Sequence, residues 1–136
     1  MKKIIKNIIE DQNDNNVALT SENSPPLLYK DLKSFVNKIA SQLAGNGISN
    51  KDRAAIVLPN GPFMASSFLT LSSYMSAAPL NTSYKTNEYE FYLKDLNPKI
   101  VIVEPNSSNE VVGVAKNLNI PVCEMKIKKD DPSGLF

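Results

Sequence analysis

From Leu32 onward, stretches with helical apolar spacing alternate with short unbroken apolar runs, and few folds accept that order. Leu32, Phe35, Val36, Ile39, Ala40 and Leu43 advance by three and by one in turn, the single buried stripe of a helix. Gly45-Asn46-Gly47 stops that helix, because glycine takes the left-handed conformation that closes one. Ala54 to Leu58 is then continuously apolar, as in a parallel strand covered on both faces, and Pro59 with Gly61-Pro62 ends it. Phe63 to Ser76 reads as a helix rich in Ala65, Ser66, Ser67, Ser72, Ser73 and Ser76, small side chains that let it approach a sheet closely. Ala77 to Leu80 is a brief strand. Tyr89, Tyr92, Leu93 and Leu96 recur at helical spacing on a segment that ends before Pro98. Ile100-Val101-Ile102-Val103 is a second buried strand. Ser107 and Glu110 have capping-box spacing ahead of Val111, Val114, Ala115 and Leu118, and Pro121 to Glu124 is a last short strand. Strict alternation of this kind implies parallel βαβ units and an α/β fold: a three-layer parallel sheet with helices on both faces.

The residues ahead of that pattern are organised differently. Ile4, Ile5, Ile8 and Ile9 share one face of a short helix. Its polar face is not strongly basic, so it is expected to dock on its own domain rather than lie on a membrane. Residues 11–16 are polar and Asn-rich, a loop. Val17-Ala18-Leu19 and Leu27-Leu28-Tyr29 are apolar runs separated by a turn signal over 21–26, which predicts a small hairpin. The expected division is a leading helix and hairpin over 1–30, a βαβ region over 31–125, and a truncated tail over 126–136.

At 136 residues the chain is one domain's worth, or part of a larger one. Its net charge of +1 steers it toward neither nucleic acid nor an anionic membrane. Lys128-Lys129 is offset at once by Asp130-Asp131. No histidine is present, which excludes a Ser-His-Asp triad, a Cys-His pair and the commonest transition-metal ligand. The single Cys123 cannot form an internal disulfide; in Pro121-Val122-Cys123 it is expected to be a small buried hydrophobe. A lone thiol suits a reducing compartment. The apolar pairs near the start are broken by Lys6 and Asn7, unlike a secretory signal, and no run reaches membrane-spanning length. The expectation is a soluble, cytoplasmic chain.

Motifs that could carry chemistry mostly resolve into structure. Gly45-Asn46-Gly47 follows a helix, and Asn50 occupies the third glycine position of a dinucleotide fingerprint, so it is better explained as a helix cap. No Gly-Lys-Ser/Thr sequence occurs, and the five glycines form no phosphate-cradling cluster. Asp130-Asp131 before Pro132 is a solvated turn rather than a cation site, which needs more oxygen ligands. The serine pairs at 66–67 and 72–73 have no general base beside them and fit close packing. Tyr84 and Lys85 follow a strand end, where open α/β sheets place their ligands, so a binding contact and a plain loop both remain open there. Pattern alone therefore delivers an α/β domain with no catalytic residue, no metal ligand and no assigned cofactor-binding residue.

Several segments together resemble the amino-terminal region of acyl-adenylate-forming enzymes, the AMP-dependent synthetase/ligase superfamily. Leu28-Tyr29-Lys30-Asp31-Leu32 resembles the family's Thr-Tyr-x-x-Leu entry into a helix, with Leu28 where Thr is usual. Ala40 to Gly47 resembles its Ala-x-x-Leu…Gly segment. Lys51 to Asn60, Lys-Asp-Arg-Ala-Ala-Ile-Val-Leu-Pro-Asn, is similar to Gly-Asp-Arg-Val-Ala-Ile…Leu-Pro-Asn, with Lys51 for Gly and Ala54 for Val. Ala77-Ala78-Pro79-Leu80-Asn81 is similar to its Pro-Leu-Asn-Pro strand, with Thr82 for the last Pro. Tyr74 to Asn81 and Asp131 to Phe136 resemble the oxalate–CoA ligase and 4-coumarate–CoA ligase-like branch in particular.

The resemblance implies an acyl-CoA synthetase. In such enzymes a carboxylate attacks the α-phosphate of ATP, and a thiol, usually that of CoA, then takes the acyl group from the adenylate. It implies ATP, Mg²⁺ and CoA for the complete enzyme, none of them bound by this portion. The family's Ser/Thr/Gly-rich phosphate loop, its Tyr-Arg-Thr-Gly-Asp segment and its catalytic Lys match nothing in residues 1–136, so no catalytic residue carries over. Partners expected on this basis are the remainder of the ligase or a full-length ligase, with a small-molecule carboxylate for the complete enzyme, and neither nucleic acid nor membrane. The apolar finish Leu135-Phe136 goes with a free sheet edge and an exposed apolar face. The alternatives are a non-catalytic α/β module that docks on a partner, or another single-domain α/β protein. The last is disfavoured because no receiver-type acidic cluster follows the first strand.

Overall fold

The computed structural model describes residues 4–136, and four parallel strands organise most of them. In chain order the elements are α1 (Ile5–Glu10), β1 (Val17–Ser21), β2 (Ser24–Leu28), α2 (Tyr29–Gly45), β3 (Arg53–Val57), α3 (Pro62–Ser72), β4 (Ser76–Pro79), α4 (Thr86–Leu96), β5 (Ile100–Val103), α5 (Glu110–Asn117) and β6 (Val122–Glu124). The larger sheet runs β4-β3-β5-β6, with all its pairings parallel. β1 and β2 form a separate antiparallel hairpin.

Strand alternation sorts the core into two faces. Ala54, Ile56, Ile100 and Ile102 point to one side, where Leu43 of α2 and Leu71 of α3 cover them. Ala55, Val57, Val101 and Val103 point to the other, under Tyr89 and Leu93 of α4 and Val111, Val114 and Ala115 of α5. The expected three-layer parallel sheet is the one observed. β5 is buried at every position, so each of its side chains adds about 1.5–3 kcal/mol of apolar burial.

Helix ends follow the turn chemistry in the sequence. Gly47 takes a left-handed φ of 75°, and its N–H donates to the Ala44 carbonyl while Ile48 N–H donates to Leu43, both at 3.0 Å. That pair of bonds is a Schellman motif, and Ile48 packs on the cluster that contains Leu43. Asn119 does the same after α5, at φ 57°, with Ile120 N–H donating to Ala115 at 2.8 Å.

Four boundaries differ from the sequence pattern. The hairpin turn is only Glu22-Asn23, and Ser24-Pro25-Pro26 belong to β2; an edge strand tolerates prolines because it needs no donors on its free side. Tyr29 opens α2 instead of closing the strand, its N–H donating to Asn16 at 2.9 Å. α3 stops at Ser72, since Tyr74 and Met75 both turn back onto the Leu71 carbonyl, and Ser76 starts β4. The capping box expected from Ser107 and Glu110 is not made. Asn109 caps α5 by accepting from Val111 N–H at 2.9 Å, and Glu110 reaches Thr86 instead.

The leading helix docks on its own domain, with Ile9 buried against Leu27, Leu32 and Val36, as expected; Ile4 and Ile8 stay exposed. Residues 126–136 form no helix or strand. They run back to the hairpin, where the N–H and hydroxyl of Ser133 both donate to the Pro25 carbonyl, at 2.8 and 3.0 Å. Leu135 joins the Leu27–Leu32 cluster, and Phe136 sets its ring edge-on to Phe35 at 4.8 Å. Asp130, at φ 71°, makes the turn before Pro132. No helix among the described residues is long and apolar enough to cross a membrane.

Candidate functional site: the crevice at the carboxyl ends of β3 and β5

The chain leaves β3 toward β4 on one side and later places β5 on the other, so the strand order reverses between β3 and β5. In open α/β sheets the crevice beyond the carboxyl ends at such a reversal is where ligands settle. Here it is a cleft of about 170 Å³ lined by the segment from Leu58 to Phe63, by Glu104 and Pro105, and by Met125 and Ile127. Pro59 ends β3, and Gly61, at φ 153°, turns the backbone so that Pro62 becomes the first residue of α3. Across the cleft, Asn106 takes φ 53° just after β5 and donates its N–H to Glu124 at 3.4 Å. Met125 N–H donates to Val103 at 3.0 Å, which continues the sheet to the cleft floor.

The lining is apolar apart from Asn60 and Glu104, both exposed. It has no lysine or arginine to offset phosphate charge, and a single carboxylate. No group of three His, Cys, Asp or Glu able to hold a metal occurs among the described residues. The residues present therefore do not fit Mg²⁺-ATP, which needs carboxylate and phosphate oxygens together around the ion. The cleft offers apolar walls to a ligand and holds no nucleophile with a base beside it.

Tyr84 and Lys85 do not line this cleft. The Tyr84 ring stacks on Tyr92 at 4.9 Å and 12°, and the Lys85 ammonium pairs with Glu110 at 3.6 Å. A hydrogen bond with Tyr92, then burial, holds the Tyr84 phenol above its ordinary value, so it is no base near neutral pH. Glu110 accepts from both the hydroxyl and the N–H of Thr86 at 2.7 Å, and those bonds, with Lys85 further off, hold its carboxyl below the usual range. Tyr84 thus packs the β4–α4 loop onto α4, and Lys85 ties the same loop to α5.

Cys123 corrects another expectation: the residue is exposed, not a buried hydrophobe. It lies opposite Ile102 in the outer strand β6, on the face covered by α2 and α3, but outside the core cluster on that face. The thiol itself lies partly desolvated against the strand, and that desolvation, with the Glu124 carboxylate, pushes it up. Ser66 and Ser67 are fully buried in α3, in keeping with close packing.

Sequence reasoning took Pro59, Gly61 and Pro62 only as a strand terminator and so missed the cleft. The signal was the same one that drew attention to Tyr84: breaker residues directly after a buried strand. A second apolar hollow, about 190 Å³ between α1, β1, α2 and α3, is lined by Ile5, Ile8, Ile9, Ala18, Tyr29, Leu32 and Leu69, away from the strand ends.

A parallel α/β sheet with a crevice at its reversal point defines an α/β domain of the ligand-binding kind. The chain belongs to the AMP-binding enzyme family, whose model matches residues 9–134. It is 34% identical over 95 residues to a probable CoA ligase of Humulus lupulus, covering 69% of this chain and 18% of that protein. It is 30% identical over 105 residues to an oxalate–CoA ligase of Arabidopsis thaliana, covering 76% and 20%. In fold it is similar to a benzoate CoA ligase from Burkholderia xenovorans LB400, with a TM-score of 0.75 at 15% identity over 92% of this chain and 26% of that one. The chain thus spans about a fifth of the length of the curated relatives it matches.

Proposed function

We propose that this chain is the amino-terminal portion of an ATP-dependent acyl-CoA synthetase of the oxalate–CoA and 4-coumarate–CoA ligase-like branch, and that alone it is inactive. The complete enzyme would adenylate a small-molecule carboxylate and pass the acyl group to CoA, in the reducing setting that an unpaired Cys123 suits. The family match over residues 9–134 supports the assignment. The single observation behind inactivity is the crevice between β3 and β5, which presents walls and no cation, nucleophile or metal-ligand set. Its role is to bound a site whose phosphate-holding hydroxyls and lysine come from segments that these 136 residues do not contain.

The test is ATP–pyrophosphate exchange with a panel of small carboxylates, run on the chain alone and after adding the remaining part of a ligase in trans. No exchange alone and exchange on complementation are expected. Exchange by the chain alone would overturn the proposal. A soluble, associated pair that stays inactive on every acid would favour the second reading, a non-catalytic module docked on a partner chain.

A further inference from the structure

Asparagine followed by glycine is the dipeptide most prone to spontaneous deamidation, because no Cβ on the glycine shields its N–H from the asparagine side chain. The chain holds two such pairs, Asn46-Gly47 and Asn60-Gly61, and all four residues are exposed. Exposure therefore does not separate them, and hydrogen bonding does.

Asn46-Gly47 is locked into the cap of α2. Gly47 N–H donates to the Ala44 carbonyl at 3.0 Å, and the Asn46 side-chain amide donates to the Gln42 carbonyl at 2.7 Å. Asn46 is also held at ψ 15°, where its own nitrogen nearly eclipses that of Gly47 and Cβ is turned away from it. Ring closure needs the reverse, with the side-chain Cγ brought over the next nitrogen. Asn60-Gly61 carries none of these restraints. Neither the Asn60 amide nor the Gly61 N–H has a hydrogen-bond partner among the described residues. The pair lies in the bend between Pro59, which ends β3, and Pro62, the first residue of α3. An N–H bonded only to water is free to lose its proton and to meet the side chain.

We propose that Asn60 is a site of spontaneous deamidation in the folded chain, and that the α2 cap protects Asn46 from the same reaction. The deprotonated Gly61 nitrogen attacks Cγ of Asn60. The new C–N bond closes a succinimide ring as the side-chain nitrogen leaves, taking up a proton to depart as ammonia. Water then adds to either ring carbonyl and opens the ring. One opening gives aspartate, and the other gives isoaspartate, in which the chain runs through the side-chain carbon. Either product adds a carboxylate to the lining of the β3–β5 cleft, which already holds Glu104. Isoaspartate also lengthens the backbone by one carbon just ahead of α3.

Peptide mapping of the full chain tests this. Native protein is incubated in mildly alkaline buffer, sampled over time and cleaved with trypsin, which puts Asn46 in the peptide 39–51 and Asn60 in 54–85. A mass gain of about 1 Da, localised by fragment ions, reports deamidation, and methyl transfer by protein isoaspartyl methyltransferase reports isoaspartate. Asn60 should convert at least about tenfold faster than Asn46, the factor expected when two hydrogen bonds must open first. In urea the two rates should converge, since both dipeptides are then unrestrained. Asn60→Gln should remove most of the isoaspartate from 54–85. Equal rates in the native chain would overturn the proposal. So would faster conversion at Asn46, or a native Asn60 that stays intact while the urea-unfolded one converts.

Discussion

Gly134 lies against the start of α3 so closely that a Cβ there would stand 2.7 Å from the Pro62 carbonyl oxygen and 3.1 Å from the Ser66 side chain. Its φ of 80° adds a second reason for glycine, since other residues are strained in that region. Gly47 has a comparable φ of 75° but nothing within 4 Å of its missing Cβ. Gly47→Ala should therefore cost only the conformational penalty, about 1 kcal/mol. Gly134→Ala should cost that plus the displacement of backbone, about 2–4 kcal/mol. Urea unfolding of the two variants side by side checks the difference; equal losses would show that the tail does not hold Gly134 against α3.

The link between Thr86 and Glu110 predicts a pH dependence. Its hydrogen bonds hold the folded Glu110 carboxyl below the ordinary value of about 4.3. Its contribution to stability is therefore fully present above that ordinary value and is lost as pH falls through the lower folded one. Thermal melts of the wild type and Glu110→Gln should differ most above pH about 5 and converge toward pH about 3. A difference that stays constant across that range would mean the carboxylate charge plays no part.

The parallel sheet was legible because a strand buried on both faces leaves an uninterrupted apolar run, as Ala54 to Leu58 and Ile100 to Val103 do. The α2 stripe was legible because one buried helix face repeats in sequence. What escaped were choices between near-equivalent partners. Asn109 and Ser107 are both good caps, and only the position of Thr86 drew Glu110 away from the box. The exposure of Cys123 depends on how far α2 and α3 reach across the sheet, which no local pattern encodes. The cleft between β3 and β5 depends on strand order, so its lining could be named only once the reversal was known.

Cys123 should be reachable but slow. An exposed residue whose thiol is pushed up by desolvation and by Glu124 carries little thiolate at neutral pH, and the thiolate is the nucleophile. Iodoacetamide should label the native chain completely yet more slowly at pH 7.5 than the urea-unfolded chain, with the gap closing as pH rises toward 10. Faster labelling of the native protein would reverse the assignment. Cys123→Ser should shift stability by less than about 0.5 kcal/mol, because the thiol's one polar contact is a 4.0 Å approach to the Glu124 carbonyl.

Two adjacent serines in α3 should respond to alanine with opposite signs. Both are fully buried, but the Ser66 hydroxyl donates to the Gly134 carbonyl at 2.6 Å, whereas the Ser67 oxygen has no partner. Ser66→Ala removes a bond and leaves the Gly134 oxygen without that donor, which should destabilise the fold by about 1–3 kcal/mol. Ser67→Ala removes an unsatisfied buried hydroxyl and keeps the small volume that lets α3 pack, so it should be neutral or stabilising by about 1 kcal/mol. Denaturant midpoints of the two variants decide it. A loss at Ser67 as large as that at Ser66 would mean that its hydroxyl is hydrogen-bonded in solution after all, and that the stripe of small residues is not held by packing alone.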